Sequence, residues 1–396
     1  MKIAVNLLYL EDNTGSGIGK HIEDILAGLE KINALDEFYL IVRKTFYDNY
    51  FSAVNAERTF ANAHVIICPE SRLFKYVTKI LEKIMYPVRG IFLNRIIMPG
   101  LLKDINPELV FYPFNDSANN VSLEYPFVTV IHDLFYKNFS KRKRKIRDKL
   151  YDVYVNAKHK GMLKKSKQII VISEFVKADI LKYFPGVESS KIVVIPNAVV
   201  MSGQIVEPEG ITKPFLLCVN DHGPHKNHLT LLKAFNIVKN KIPHNMVILG
   251  RGREETPAII KYVNENGLND KVCLISYVSD SERNWLYQNA DLFISPSLYE
   301  GFGRTPIEAA MFGTMVLTSR EASLPEVTCD LLNYYEPATD EKALADNILR
   351  LLHNPVPVKE RENIAKTYKE LYDPARIAKM YYDLFRNIVH SNKNAL

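Results

Sequence analysis

Between Ser295 and Ser319 the chain reads SPSLYEGFGRTPIEAAMFGTMVLTS: the end of an apolar run, a turn with two glycines, then a helical period. Gly301 and Gly303, on either side of Phe302, bare the backbone for close approach of a ligand. The helix that follows offers unpaired N–H groups and a partial positive charge to an anion. Glu300 lies in the turn, and Glu308, eight residues on, falls about one turn inside the helix. An ionised carboxylate accepts up to about four hydrogen bonds, so two carboxylates placed this way can grip hydroxyl groups along one extended ligand. The plain alternative for Glu308 is an exposed carboxylate complementing the helix dipole, worth about 0.3–1 kcal/mol.

Three other segments carry chemistry-bearing residues. Gly15, Gly17 and Gly19 follow the first apolar run, where a tight turn and a helix start can bring backbone amides to a phosphate; a simple turn is the default for such a cluster. His132 and Asp133 end another apolar run, at the carboxyl edge of a strand, where the alternatives are a satisfied polar group for the histidine and a turn or cap for the aspartate. In PHKN, residues 224–227, Lys226 is the certain cation and His225 stands beside it. The four cysteines, Cys68, Cys218, Cys273 and Cys329, lie far apart, with no CxxC or Cys/His metal spacing, and read as buried free thiols.

These residues need elements to hold them, and the chain supplies two series. KIAVNLLYL, EFYLIVRK, HVIIC, PELVFYP, PFVTVIHDL, KQIIVIS and KIVVIPN read as short strands, with amphipathic stretches such as HIEDILAGLEKI and EFVKADILKYF between them. The pattern pauses at 200–214, a Gly-, Pro- and acid-containing linker. PFLLCVN, HNMVILG, KVCLISYV, DLFISPS and TMVLTS then alternate with HLTLLKAFNIVKN, SERNWLYQNA and PIEAAMFG. Alternating strand and helix predicts parallel sheets covered on both faces. At 396 residues the chain suits two domains. We place 1–202 in the first and 203–375 in the second. PARIAKMYYDLFRNIVH has an apolar face of Ile377, Met380, Tyr381, Leu384, Phe385 and Ile388. It is assigned back to the first domain over 376–392, the alternative being a closing helix of the second.

Composition narrows the function. With 47% apolar and 24% charged residues the chain is globular, and no run approaches the roughly 20 apolar residues of a membrane span. The opening residues lack the pattern of a cleaved leader, so a cytoplasmic location is expected. The formal net charge is +6, with the whole excess in the first half. KRKRKIRDK at 141–149 puts seven basic residues in nine positions, which suggests an anionic surface such as the inner face of a membrane; a solvated helix face or loop is the alternative. Nothing accompanying it points to nucleic acid.

Glu300-Gly301-Phe302-Gly303 followed by Glu308 resembles the E-x7-E signature of family-4 retaining glycosyltransferases with the GT-B fold. GSGIGKH at 15–21, VIHDL at 130–134, VISEFVKADI at 171–180, VIPNAV at 194–199, PHKN at 224–227, ILGRG at 248–252 and SLPEV at 323–327 fall in that family's order. The resemblance implies an α/β fold of two Rossmann-like doubly wound domains facing across a cleft, and transfer of a hexose from a nucleotide-sugar donor to a glycan or lipid-linked acceptor. By the same resemblance Glu308 holds the ribose hydroxyls and Glu300 the donor hexose. Backbone N–H groups of Phe302, Gly303, Arg304 and Thr305 line the hexose and diphosphate, Gly17 faces the diphosphate, and His132 lies beside the reacting sugar. Relatives usually carry an arginine where this chain has Asn220 or His225. Diphosphate binding then leans on Lys226, with His225 or Arg304 as stand-ins.

The first domain resembles mannosyltransferases of bacterial surface polysaccharide synthesis, so GDP-mannose is the expected donor and a UDP-hexose the alternative. No cofactor and no metal are expected, and the leaving diphosphate itself takes the acceptor proton. A sugar-nucleotide epimerase of the same fold would convert donor alone to an isomer. The presence of Glu300, Glu308 and His132 speaks against a non-catalytic nucleotide-sugar-binding protein, and activity lost on substituting them would exclude it.

Overall fold

The computed structural model describes residues 1–8, 10, 17–32, 34, 36–48, 62–69, 93–114, 124–139, 146–201 and 203–394. Gly15, Ser16 and the basic residues 141–145 lie outside the described residues. The chain divides into two compact units, Met1–Ala198 with Pro374–Leu396, and Val199–Asp373.

The first unit is built on a parallel sheet of β1 (Lys2–Asn6), β2 (Glu37–Arg43), β3 (Ala63–Cys68), β4 (Leu109–Tyr112), β5 (Phe127–Ile131), β6 (Gln168–Val171) and β7 (Ile192–Val194), in the order β3-β2-β1-β4-β5-β6-β7. Its central strands are unbroken apolar runs because both faces are covered: every residue of β4 and β5 is buried. Around it lie α1 (Gly17–Lys31), α2 (Phe135–Phe139), α3 (Ile146–Lys165) and α4 (Glu174–Tyr183). The last residues of the basic run, 146–149, open α3. Ser173 caps α4, its hydroxyl accepting from the Val176 amide at 3.2 Å.

The C-terminal helix, Pro374–Lys393, belongs to this unit and packs on α1. Gly28 makes that approach possible, since a Cβ there would sit 2.1 Å from the Pro374 carbonyl oxygen. The buried face consists of Ile377, Ala378, Tyr381, Phe385 and Val389, while Met380 is exposed. The helix therefore turns slightly from the face expected of Met380, and small Ala378 takes the close contact instead.

The second unit holds β8 (Phe215–Val219), β9 (Asn245–Leu249), β10 (Val272–Ile275), β11 (Leu292–Ser295), β12 (Val316–Ser319) and β13 (Asn333–Tyr335), all parallel, in the order β10-β9-β8-β11-β12-β13. Three of its helices position the candidate site: α5 (His228–Val238), α6 (Asp280–Asn289) and α7 (Arg304–Met311). Its core joins Leu216, Phe235, Ile248 and Leu317 from strands and helix alike. Cys68 and Cys218 are buried and Cys273 is half-buried. Cys329 departs from the buried-thiol expectation: it is exposed, in a turn at φ +52° that follows a short helix.

Candidate active site

In each sheet the strand order reverses once, between β1 and β4 in the first and between β8 and β11 in the second. The crevice outside the carboxyl ends at such a switch is where open α/β sheets bind ligands. In the second unit the segment after β8 carries His225 and Lys226 in a short 3-10 turn, and the segment after β11 carries Glu300 through Gly303. The two segments are joined. Lys226 Nζ lies 2.7 Å from Glu300 Oε1, with both side chains largely buried, and the Ser297 hydroxyl donates to the same oxygen at 2.7 Å. The Leu298 amide donates to the His225 carbonyl at 2.7 Å, and the Ser323 hydroxyl to the Glu300 carbonyl at 2.9 Å. Asn227, at φ +60°, donates to the carbonyls of Pro296 and Ala338 at 3.0 and 2.8 Å and so pins both segments.

Gly303 ends the turn at φ +80°, where a Cβ would meet the Leu324 side chain at 2.5 Å. Glycine adopts that conformation without strain and leaves the Leu324 side chain in place. It sits at the N-cap of α7, leaving the first turn with no side-chain cap, while Phe302 anchors the turn by packing edge-on against Tyr372, centroids 5.3 Å apart. Thr305 falls at the second helical position and is half-buried.

Glu308, on α7, is 6% exposed. Its Oε1 accepts from Arg304 Nε at 2.6 Å and its Oε2 from the Tyr287 hydroxyl of α6 at 2.8 Å. Burial alone would push this carboxyl up; the charges of Arg304 and Arg283 and the two hydrogen bonds outweigh it and hold Glu308 below the usual carboxylate range. Arg304 is thus turned towards Glu308. Asn220 is buried, its amide 3.9 Å from Cys218 Sγ. A separate cavity of about 750 Å³ opens at the amino edge of this sheet, beside Lys213, His244, Asp291 and Arg361. It lies at the other end of the strands from the carboxyl-edge cluster.

In the first unit, Gly17 is the first residue of α1 and His132 follows β5. His132 Nε2 lies 2.8 Å from the Pro113 carbonyl, just beyond β4, and burial holds the imidazole below the usual histidine range. Asp133 caps α2, its Oδ1 accepting from the Phe135 amide at 3.0 Å. Among the described residues no three His, Cys, Asp or Glu side chains gather as a metal-ion cluster, and no helix is long and apolar enough to cross a membrane.

The model of glycosyl transferases group 1 matches residues 204–371, and that of glycosyltransferase family 4 matches residues 62–202. The chain belongs to glycosyltransferase family 4. This family-4 chain is 30% identical over 216 residues to the O-antigen chain mannosyltransferase RfbU of Salmonella typhimurium, covering 54% of this chain and 60% of the relative. It is 26% identical over 204 residues to O-antigen chain mannosyltransferase B of Escherichia coli, covering 48% and 53%. The aligned region thus spans a little over half the length of these two relatives. Sucrose-phosphate synthase from Thermosynechococcus elongatus superposes with a TM-score of 0.72 at 18% identity, over 99% of this chain and 100% of that one. Anabaena HepE in complex with UDP and glucose superposes with a TM-score of 0.64 at 14% identity, over 98% and 100%. These likenesses give the GT-B fold.

The geometry adds residues that the sequence of the family-4 chain did not single out: Tyr287 and Arg283 around Glu308, Ser297 and Ser323 around Glu300, and Asn227 between the two segments. We expect Arg304→Met to leave Glu308 buried with less compensation, lowering stability at neutral pH by up to about 3 kcal/mol, the low end for stripping one partner from a buried pair because Arg283 remains. Glu308 has a depressed folded-state pKa, so its contribution is present above its unfolded value and is lost as pH falls through the folded one. The gap between wild type and variant should therefore narrow below about pH 5, as the variant's carboxyl takes up a proton. Urea unfolding across this range checks it; a gap independent of pH would contradict the charge argument.

Proposed function

We propose that the protein transfers a hexose, with retention of anomeric configuration, from a nucleotide-sugar donor to a glycan or lipid-linked acceptor in surface polysaccharide synthesis. The observation that carries the reading is the state of the two carboxylates. Among the described residues each oxygen of Glu308 has one hydrogen-bond partner, Arg304 or Tyr287, which orients the group, and each oxygen can accept a further bond from a ribose hydroxyl. Among the described residues Lys226 and Ser297 hold Glu300 through Oε1, and Oε2 is assigned to the donor hexose. Both named relatives are mannosyltransferases, which favours mannose, with GDP-mannose first and a UDP-hexose second.

On this reading the bond from the anomeric carbon to the diphosphate breaks as the acceptor hydroxyl approaches on the same face, and a phosphate oxygen of the leaving group takes the hydroxyl proton. The charge developing on the diphosphate is met by Lys226, with His225 beside it, and by backbone N–H groups from Gly301 to Thr305. No resident metal is assigned to this step. Arg304 braces Glu308 through Nε, and its terminal N–H groups are assigned, with His225, to the diphosphate. His132 accepts a hydrogen bond from a hexose hydroxyl. The epimerase alternative is separated by its product, since GDP-mannose alone would yield an isomer.

Two measurements check the proposal. A thermal-shift series with GDP, UDP and ADP should single out one nucleotide, because a ligand bound only by the folded state raises stability by mass action. With the matching donor, Glu308→Ala should raise KM by about 10- to 150-fold or more, the lower range being the loss of a single charge-assisted hydrogen bond, and Glu300→Ala should lower kcat instead. Unchanged constants in folded variants would remove both residues from the site. The basic run at 141–149 is proposed to rest on an anionic membrane surface, each basic residue contributing about 1 kcal/mol. Equal sedimentation of wild type and a chain neutralised at Lys141–Lys145 with phosphatidylglycerol vesicles at low salt would contradict that.

A further inference from the structure

The environment of His132 carries a further inference. A carbonyl oxygen only accepts hydrogen bonds, so the 2.8 Å contact with Pro113 places the proton on Nε2, and in the neutral ring Nδ1 is the acceptor. That hydrogen bond selects the tautomer only while the ring faces the carbonyl, and one bond at one corner does not keep the ring from turning away. A second ring stands perpendicular beside it. The His21 ring, on α1 and 1% exposed, meets His132 at a centroid distance of 4.8 Å and an interplanar angle of 89°.

His21 is backed in turn by the C-terminal helix. The Tyr381 hydroxyl lies 3.4 Å from His21 Nε2, and the two rings meet edge-on with centroids 6.0 Å apart, although the residues are 360 positions apart in the chain. Tyr381 is fully buried. The same helix also reaches the other restraint. Phe111, two residues before Pro113, packs against Tyr381 at 5.6 Å and against Phe385 at 5.0 Å. One helix therefore backs both the ring wall and the carbonyl anchor of a single imidazole.

We propose that His21 and Tyr381 are positioning residues for His132, which makes the C-terminal helix a working part of the first unit's site and more than a closing element. The proposal rests on the reading of His132 as a hydrogen-bond acceptor for the donor. An edge-on ring contact needs a flat ring and no proton, so His21→Phe keeps the wall while His21→Ala removes it. Tyr381→Phe deletes only the hydroxyl, and Tyr381→Ala deletes the whole backing.

The test reads His132 directly, in the full chain without ligand. Long-range ¹H–¹⁵N correlation on histidine-labelled protein distinguishes the two ring nitrogens, and His132→Gln assigns the signal. Wild type, His21→Phe and Tyr381→Phe should show a single Nε2-protonated neutral tautomer, whereas His21→Ala and Tyr381→Ala should show averaged shifts from a mixed population. A His132 signal identical in His21→Ala and wild type would overturn the proposal, and Tyr381→Phe and His21→Phe remain as folded variants if the alanine changes unfold the chain: averaged shifts in the phenylalanine variant of His21 would also overturn it. Release of GDP from GDP-mannose then separates the two layers of the argument. His21→Ala should lower kcat between about 10- and 100-fold with KM for the donor unchanged, the scale of misplacing a contact to the reacting ring, and His21→Phe should restore it. If His132→Gln itself leaves kcat unchanged while the tautomer moves as described, the positioning stands and the role of His132 towards the donor falls.

Discussion

An ionised carboxylate in a protein interior is tolerated only with cations and donors around it, and Glu308 sets that condition for the second unit. Stripped of partners, such a group costs several kcal/mol or takes up a proton. Arg304, Arg283 and Tyr287 meet the requirement, and in doing so they fasten α6 to α7. Arg304 occupies the first turn of α7, where the helix dipole disfavours a cation. Its 2.6 Å contact with Glu308 offsets that placement and gives it a reason to be there. From α7 the constraint passes back through Gly303 and Phe302 to Glu300, and from Glu300 to Lys226 across the switch of the sheet.

The parallel sheets make this arrangement inexpensive. Within each sheet the strands described run the same way, so the residues that leave them at their carboxyl ends come together without any special folding of the loops. Lys226 and Glu300 are 74 positions apart and meet because β8 and β11 are neighbours. In the first unit β4 and β5 are neighbours, and that brings Pro113 to His132.

The strands were legible because parallel strands covered on both faces are continuous apolar runs, with β13 the exception. Its three residues, Asn333–Tyr335, are too short and too polar to announce a strand, and their place comes from pairing with β12. Met380 misled because it lies next to the apolar row of the C-terminal helix, whereas the close approach at Gly28 selects Ala378 for the contact. In the site, Glu300, Glu308 and Lys226 were marked by residue type and spacing. Tyr287, Arg283, Ser297 and Ser323 were not, because each is an ordinary residue within its own segment and acquires meaning from a partner supplied by the fold. Asn227 stood in a quoted motif, yet its two carbonyl partners lie 69 and 111 positions away.

The central claim is that Glu308 is kept charged in order to hold a ribose. Calorimetric titration of wild type and Glu308→Ala with GDP and 2′-deoxy-GDP, or with UDP and 2′-deoxy-UDP if the uridine nucleotide binds, forms a cycle that isolates this contact. The account predicts that removing the 2′-hydroxyl weakens binding to wild type roughly 10-fold or more, as expected for a hydrogen bond to a charged group, and has little effect on the variant. Equal loss in both proteins would place the ribose elsewhere and contradict the assignment.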